Sequence, residues 1–306
     1  MKVLIIGLGS IALKHIEAIK KINQGAVIYA LRSGIIANDN KGVISIFNLT
    51  EVPNDIDFIL ISNPTSLHAD SILNVIDLKK PLFIEKPVFD SIISNENVVE
   101  LISQKNIKTY IGCNLRFHPA LIFLKNYLNT NTPKINEVTI YCGSFLPNWR
   151  PLQDYTKSYS AQKKLGGGVH LDLIHELDYA IWLFGKPLIY KSNKRKVSNL
   201  LIDSFDYTHY NLTYPDFDIS ITLNYYRSQP KRQIEIVLEN EVLICDLLNS
   251  TILNDKNQIL FNDNDFSFSN TYLTQMNYFI NNLKNENRFM NDIHESIEIL
   301  KIALYD

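Results

Sequence analysis

Short apolar runs ending in glycine or polar residues alternate with amphipathic stretches over the first third of the chain, and longer alternating segments take over afterwards. Val3-Leu4-Ile5-Ile6 is apolar at every position and ends at Gly7, the pattern of a strand buried on both faces. A helix is predicted over residues 11–22 and a second strand over 26–31. Residues 58–61 and 82–84 read as further buried strands separated by a helical stretch at 66–79, and 107–111 completes the set. Strand, helix, strand in this rhythm predicts a parallel sheet with helices on both faces and right-handed crossovers. Beyond it, residues 135–145, 206–214, 217–226, 232–238 and 242–247 are β-rich and mostly alternating. Pro215-Asp216 suits a hairpin between two of them, and late helices are expected near 271–283 and 292–304.

Composition narrows the function classes. A chain of 306 residues exceeds one compact core, so two domains are expected. With 30 basic and 32 acidic residues and a net charge of −2, no field exists to hold nucleic acid or an anionic membrane. No apolar run approaches the ~20 residues that span a bilayer. The N-terminal apolar stretch breaks at Gly7 and Gly9 with no small-residue cleavage site after it, so it reads as a strand rather than a signal peptide. Cys113, Cys142 and Cys245 are far apart and form no metal spacing, which fits a reducing, cytoplasmic setting without a bound metal.

The candidate chemistry starts where the first strand turns into the first helix. Gly7-Leu8-Gly9-Ser10-Ile11-Ala12 has the G-x-G-x-x-A form of a dinucleotide fingerprint. Gly7 permits the tight turn, Gly9 lets the backbone approach a pyrophosphate, and Ala12 allows close helix–strand packing. Gly7, Gly9, Ser10 and Ile11 are thus expected against the cofactor, with the helix N-terminus facing the phosphates. At the end of the second strand, where an NAD site usually presents a carboxylate, stand Arg32 and Ser33, with no acidic residue before Asp39. Arg32 can pair with a 2′-phosphate and Ser33 can donate to it, so NADP is preferred and NAD remains possible.

A second constellation follows the glycine run Gly166-Gly167-Gly168. Asp172, His175 and Asp178 recur at three-residue intervals, which on a continuous helix would stack them along one flank. A histidine near a carboxylate can act as a general base close to neutral pH. The plainer alternative is a glycine-broken loop followed by an amphipathic helix with ordinary polar surface.

Taken with Ser62-Asn63-Pro64-Thr65-Ser66-Leu67-His68, Ile84-Glu85-Lys86-Pro87 and Asn114-Leu115-Arg116-Phe117-His118-Pro119, these segments resemble the glucose-fructose oxidoreductase/inositol dehydrogenase (Gfo/Idh/MocA) family, in the right order along most of the chain. The resemblance implies an α/β protein: a Rossmann-type parallel sheet over residues 1–117, then an α/β domain over 118–306 with a large open, mainly antiparallel sheet. Such a sheet commonly pairs subunits, which implies a homodimer or homotetramer. The lysine of the Glu-Lys-Pro motif, here Lys86, is implied to contact both the nicotinamide ribose and the reacting hydroxyl, with Glu85, Asn63, Pro64, Thr65 and His68 along the cofactor. His175 matches the family's catalytic histidine. The usual spacing from the aspartate is four residues and here it is three, so the division of roles between Asp172 and His175 stays open. Trp149-Arg150 resembles the Trp-Arg pair that precedes the glycine run, and with Tyr155, Asn114 and Arg116 it is expected to meet the substrate. The implied activity is hydride transfer between NAD(P) and a secondary alcohol or ketone of a sugar derivative, a sugar nucleotide among the options. A non-catalytic dinucleotide-binding regulator and a cofactor-dependent glycosidase or epimerase are the alternatives.

Overall fold

The computed structural model describes residues 1–32, 34, 42–285 and 287–305, and within it the chain divides into two units: Met1–Asn114 with Ser269–Leu300, and Leu115–Phe268 with Lys301–Asp306. The first unit opens with β1 (Lys2–Ile6), α1 (Ser10–Ile22), β2 (Val27–Leu31) and β3 (Val43–Ile46). β4 (Phe58–Ile61), α2 (His68–Val75), β5 (Leu82–Ile84), α3 (Glu96–Gln104) and β6 (Thr109–Ile111) follow. The strands form one six-stranded sheet in the order β3-β2-β1-β4-β5-β6, parallel throughout. Phe58, Ile59, Leu60 and Ile61 are all fully buried, as a central strand covered on both faces must be. The strand order reverses at β1 and β4, the topological switch point where such sheets bind ligands beyond their carboxyl ends.

The second unit holds α4 (Pro119–Asn131), β7 (Ile135–Phe145), α5 (Val169–Asp172), α6 (His175–Phe184), β8 (Ile189–Arg195) and β9 (Tyr207–Thr213). Next come β10 (Asp218–Asn224), β11 (Tyr226–Leu238), β12 (Val242–Asp246), β13 (Thr251–Asn254) and β14 (Ile259–Asn262). These strands make an eight-stranded sheet, β14-β13-β12-β11-β7-β10-β9-β8, in which only β7 and β10 run parallel. The alternation is plain: Thr208, Tyr210 and Leu212 are buried on one face of β9, while Tyr207, His209, Asn211 and Thr213 lie on the other, partly exposed. The chain's last helices are α7 (Phe268–Asn281) and α8 (Ile293–Leu304). Among the described residues no helix is long and apolar enough to cross a membrane.

The expected parallel sheet and the mainly antiparallel second sheet are both present. Missed were α3, α4, β3, β8, β13 and β14. β3 and β14 are edge strands with weak alternation, and half-exposed β8 reads as polar sequence (Ile189–Arg195).

His118 shows how this unit depends on pH. It caps α4, where Nδ1 accepts the N–H of Ala120 at 3.2 Å and Nε2–H donates to the carbonyl of Leu247 at 3.0 Å. Burial pulls its pKa down to about 4, so the native state keeps it neutral while the unfolded chain takes up a proton near 6.5. Between those values the unfolded state binds more protons, so this contribution is complete above pH ~6.5 and is lost as pH falls toward 4. Urea unfolding should therefore show a loss of roughly 2 kcal/mol from this site between pH 6.5 and pH 5, at ~1.4 kcal/mol per pH unit. A His118→Gln variant should show a shallower slope over that interval, and an identical slope would exclude His118 as the titrating group.

Candidate active site

In the first unit the fingerprint turn is sterically fixed. Gly7 has φ +89°, and a Cβ there would fall 2.3 Å from the backbone nitrogen of Asn63, so no other residue fits. Ser62 ties the same two loops, its N–H reaching Ile6 at 2.8 Å and its hydroxyl reaching the Gly7 carbonyl at 2.8 Å. Gly9 is the N-cap of α1 and supplies no side-chain cap; a Cβ built on it meets nothing within 4 Å. The N–H groups of the first turn, including Ser10 and Ile11, have no intrahelical acceptors, and no acidic residue stands in that turn. Open backbone at a helix N-terminus that lacks a competing carboxylate fits a pyrophosphate.

Arg32 follows β2, its N–H bonded to the Ile46 carbonyl at 2.9 Å. Its Nη1 is buried and has no hydrogen-bond partner among the described residues. Ser33, expected beside it, lies outside the described residues, as does Asp39. Asn63 donates through Nδ2 to Ser71 Oγ at 2.8 Å and keeps a buried, unpartnered Oδ1 among the described residues. Pro64 caps a short 3₁₀ turn that begins at Thr65, which is buried.

His68 is only 1% exposed, with ring nitrogens 3.0 Å from the Asn63 carbonyl and 3.1 Å from those of Pro87 and Val88. It ties the loop after β4 to the loop carrying Lys86, and burial lowers its pKa. Glu85 is buried at the end of β5, with Oε1 2.6 Å from His15 Nε2 and Oε2 accepting the N–H of Lys86 at 3.2 Å.

In the second unit the glycine run closes a tight turn. Gly168 has φ +132°, and a Cβ on Gly167 would lie 2.1 Å from the Tyr159 carbonyl, which locks the 159–162 loop against it. The helix beyond is broken. α5 ends at Asp172, Leu173 departs from helical geometry (φ −100°, ψ 31°), and α6 begins at His175. The single flank expected for Asp172, His175 and Asp178 is therefore not formed. Asp178 is instead held by Arg116, with Nε at 3.0 Å and Nη2 at 2.7 Å, both side chains 1% exposed. Glu176 points to Arg232 of β11, Oε1 to Nε 2.6 Å. These two buried ion pairs fix α6, and His175 and Asp172 are buried as well.

Asp172 accepts hydrogen bonds from the hydroxyls of Tyr159 and Tyr225. Burial, reinforced by the Asp172 charge, lifts both tyrosines well above their usual pKa, so they stay protonated donors. Sequence reasoning missed these roles. Tyr159 lies in the loop between Trp149-Arg150 and the glycine run, and Tyr225 between β10 and β11, where no spacing reveals that they meet Asp172. Trp149, Arg150, Tyr155 and Tyr159 line one cavity of about 70 Å³. Trp149 packs edge-on against Tyr225 at 5.3 Å and donates through Nε1 to Ser144 at 2.8 Å. Asn114 is buried and donates to Thr271 Oγ1 at 2.6 Å; Arg116 is occupied by Asp178. Neither opens onto that cavity's lining.

A doubly wound parallel sheet with an open fingerprint turn, joined in one chain to a large, mainly antiparallel sheet, is the architecture of a two-domain dinucleotide-binding protein. Residues 1–112 match the model of the Gfo/Idh/MocA oxidoreductase family with its NAD-binding Rossmann fold, residues 132–303 match that family's C-terminal α/β domain, and the chain belongs to this family. Scyllo-inositol 2-dehydrogenase (NAD(+)) of Bacillus subtilis is 26% identical over 165 residues, 53% of this chain and 46% of that protein. Myo-inositol 2-dehydrogenase of Thermotoga maritima is 28% identical over 201 residues, 61% of this chain and 56% of that protein. The matched stretch spans about half the length of these relatives. The solved structure of UDP-N-acetylglucosamine 3-dehydrogenase GnnA from Acidithiobacillus ferrooxidans shares the fold at a TM-score of 0.79, with 17% identity over 99% of this chain and 95% of that one.

Proposed function

We propose that this protein is an NADP-dependent oxidoreductase that interconverts a secondary alcohol and a ketone on a cyclic polyol, sugar or sugar derivative. The observation that carries this reading is the buried Asp172, fixed by two tyrosine hydroxyls, one of which belongs to Tyr159 in the lining of an aromatic, polar cavity. A protein that only senses a dinucleotide has no use for an acid–base pair such as Asp172 and His175 would make. Two relatives named as inositol dehydrogenases support the substrate class.

In this reading the backbone of Gly7, Gly9, Ser10 and Ile11 holds the pyrophosphate, Arg32 the 2′-phosphate, and Asn63, Pro64 and Thr65 flank the cofactor. The bound nicotinamide supplies or accepts the hydride. His175 takes the hydroxyl proton during oxidation and returns it during reduction, while Asp172 orients the imidazole. The Lys86 ammonium stabilises the developing alkoxide. Trp149, Arg150 and Tyr155 grip the substrate. The reading also includes a homo-oligomer formed through the open face of the eight-stranded sheet, and a reducing, cytoplasmic compartment in keeping with three free, buried cysteines.

A screen of cyclic polyols and sugars with NADP and NAD, following reduced nicotinamide by absorbance, tests the activity. Turnover with at least one polyol, abolished in His175→Ala, is expected. Tight cofactor binding without turnover on any of them would point to a regulator. Cofactor choice has its own test in Arg32→Ala. A charge-assisted contact is worth roughly 1.5–3 kcal/mol, so NADP binding should weaken by about tenfold to over a hundredfold while NAD binding hardly changes. Calorimetric titration of both cofactors reads this directly, and equal weakening of the two would refute the 2′-phosphate role.

A further inference from the structure

Behind Lys86 stands a buried histidine that the proposed chemistry does not use. His15 lies on α1, the helix whose N-terminus faces the pyrophosphate site, and is fully buried. Its Nε2 is 2.6 Å from Glu85 Oε1, while the second oxygen of the same carboxylate accepts the backbone N–H of Lys86 at 3.2 Å. The imidazole is boxed edge-on by Phe83 at 4.8 Å and Tyr272 at 5.7 Å between ring centroids, so it has one orientation. Its Nδ1 is buried without a partner among the described residues, so Glu85 is the polar contact that fixes the ring. A Cβ on Gly112 would lie 3.0 Å from Glu85 Oε1, which leaves the carboxylate little room to turn. On the far side of Lys86, His68 grips the carbonyls of Pro87 and Val88.

We propose that His15 is a positioning residue for Lys86: its Nε2–H fixes the Glu85 carboxylate, and Glu85 in turn fixes the backbone from which the Lys86 ammonium projects. The linkage ties the helix that receives the pyrophosphate to the lysine that meets the reacting oxygen. A shift of either then moves the other, and misplacement of about 1 Å in such a group can cost as much as 10²-fold in rate. The inference rests on Lys86 being the reacting lysine.

His15→Phe keeps the ring among its aromatic neighbours and removes the hydrogen bond, while His15→Gln restores a donor near the Nε2 position. The first readout needs no turnover: the rate at which an amine-selective acylating reagent labels Lys86 in the full-length protein, measured by mass spectrometry. His15→Phe is expected to change that rate about threefold or more, because the freed carboxylate rearranges beside the ammonium, while Lys125 and Lys231 keep theirs. His15→Gln should return it most of the way. The second readout is kinetic: kcat should fall about ten- to a hundredfold with little change in cofactor Kd, and adding His15→Phe to Lys86→Ala should cost nothing further. Unchanged labelling of Lys86 would overturn the proposal, as would an equal loss from His15→Phe with and without Lys86. Should His15→Phe fail to fold, His15→Asn, too short to reach Glu85, takes its place with the same expected outcomes. If the wild type turns over no polyol while Lys86 labelling still responds to His15, the activity assigned above fails and the linkage stands.

Discussion

In a Lys86→Ala variant the single-turnover rate of hydride transfer is expected to fall by about 10²- to 10³-fold, the loss of roughly 2.7–4 kcal/mol seen when one donor to a developing oxyanion is removed. The structure favours a clean experiment. The Lys86 side chain is only partly buried, whereas the backbone around it is held by Glu85 and His68, so truncation should leave the loop in place. An ammonium there is worth more to the alkoxide-like transition state than to the neutral alcohol, so the loss should appear in kcat more than in KM. Cofactor affinity should weaken by a smaller factor, since the variant leaves untouched Gly7, Gly9 and the start of α1, where the proposed pyrophosphate contacts lie. Stopped-flow measurement with saturating cofactor separates the two effects. Hydride transfer at the wild-type rate would remove Lys86 from the chemistry, whatever its effect on binding.

What the sequence disclosed and what it hid follow from the range of each interaction. β1 and β4 were legible because strands covered on both faces are apolar throughout, and the fingerprint because its glycines keep a fixed spacing at a strand–helix junction. Gly7 must take a positive φ where its neighbour is the backbone of Asn63. The segment after Gly168 left a continuous helix and a broken one both open, because spacing alone does not reveal a break at Leu173. Partners decided that outcome: Tyr159 and Tyr225 draw Asp172 one way, Arg116 draws Asp178 another, and Arg232 takes Glu176. Arg116, Tyr225 and Arg232 lie 53 to 62 residues from the carboxylates they meet, and only the folded chain brings them there. His15 escaped notice for the same reason, since nothing in its surroundings along α1 suggests that it meets Glu85.

Arg116 brings the two kinds of information into conflict, and its removal should have the largest effect on stability. Resemblance to the family places it against the substrate, while the structure spends its guanidinium on Asp178 with both side chains 1% exposed. Exposed pairs such as Lys2–Asp55 contribute little, because water screens them and the side chains lose freedom. A buried pair differs: taking away one member leaves the other charged and desolvated, which costs about 3–5 kcal/mol. Arg116→Met should therefore lower the unfolding free energy by that amount, a large share of the 5–15 kcal/mol typical of a folded domain. Urea titration at neutral pH measures it. Arg116→Met combined with Asp178→Leu should recover most of the loss, because no isolated charge remains, and that recovery separates ion-pair energetics from a simple packing defect. If Arg116→Met unfolds at the wild-type urea concentration and only KM for the polyol rises, the guanidinium serves the substrate rather than α6.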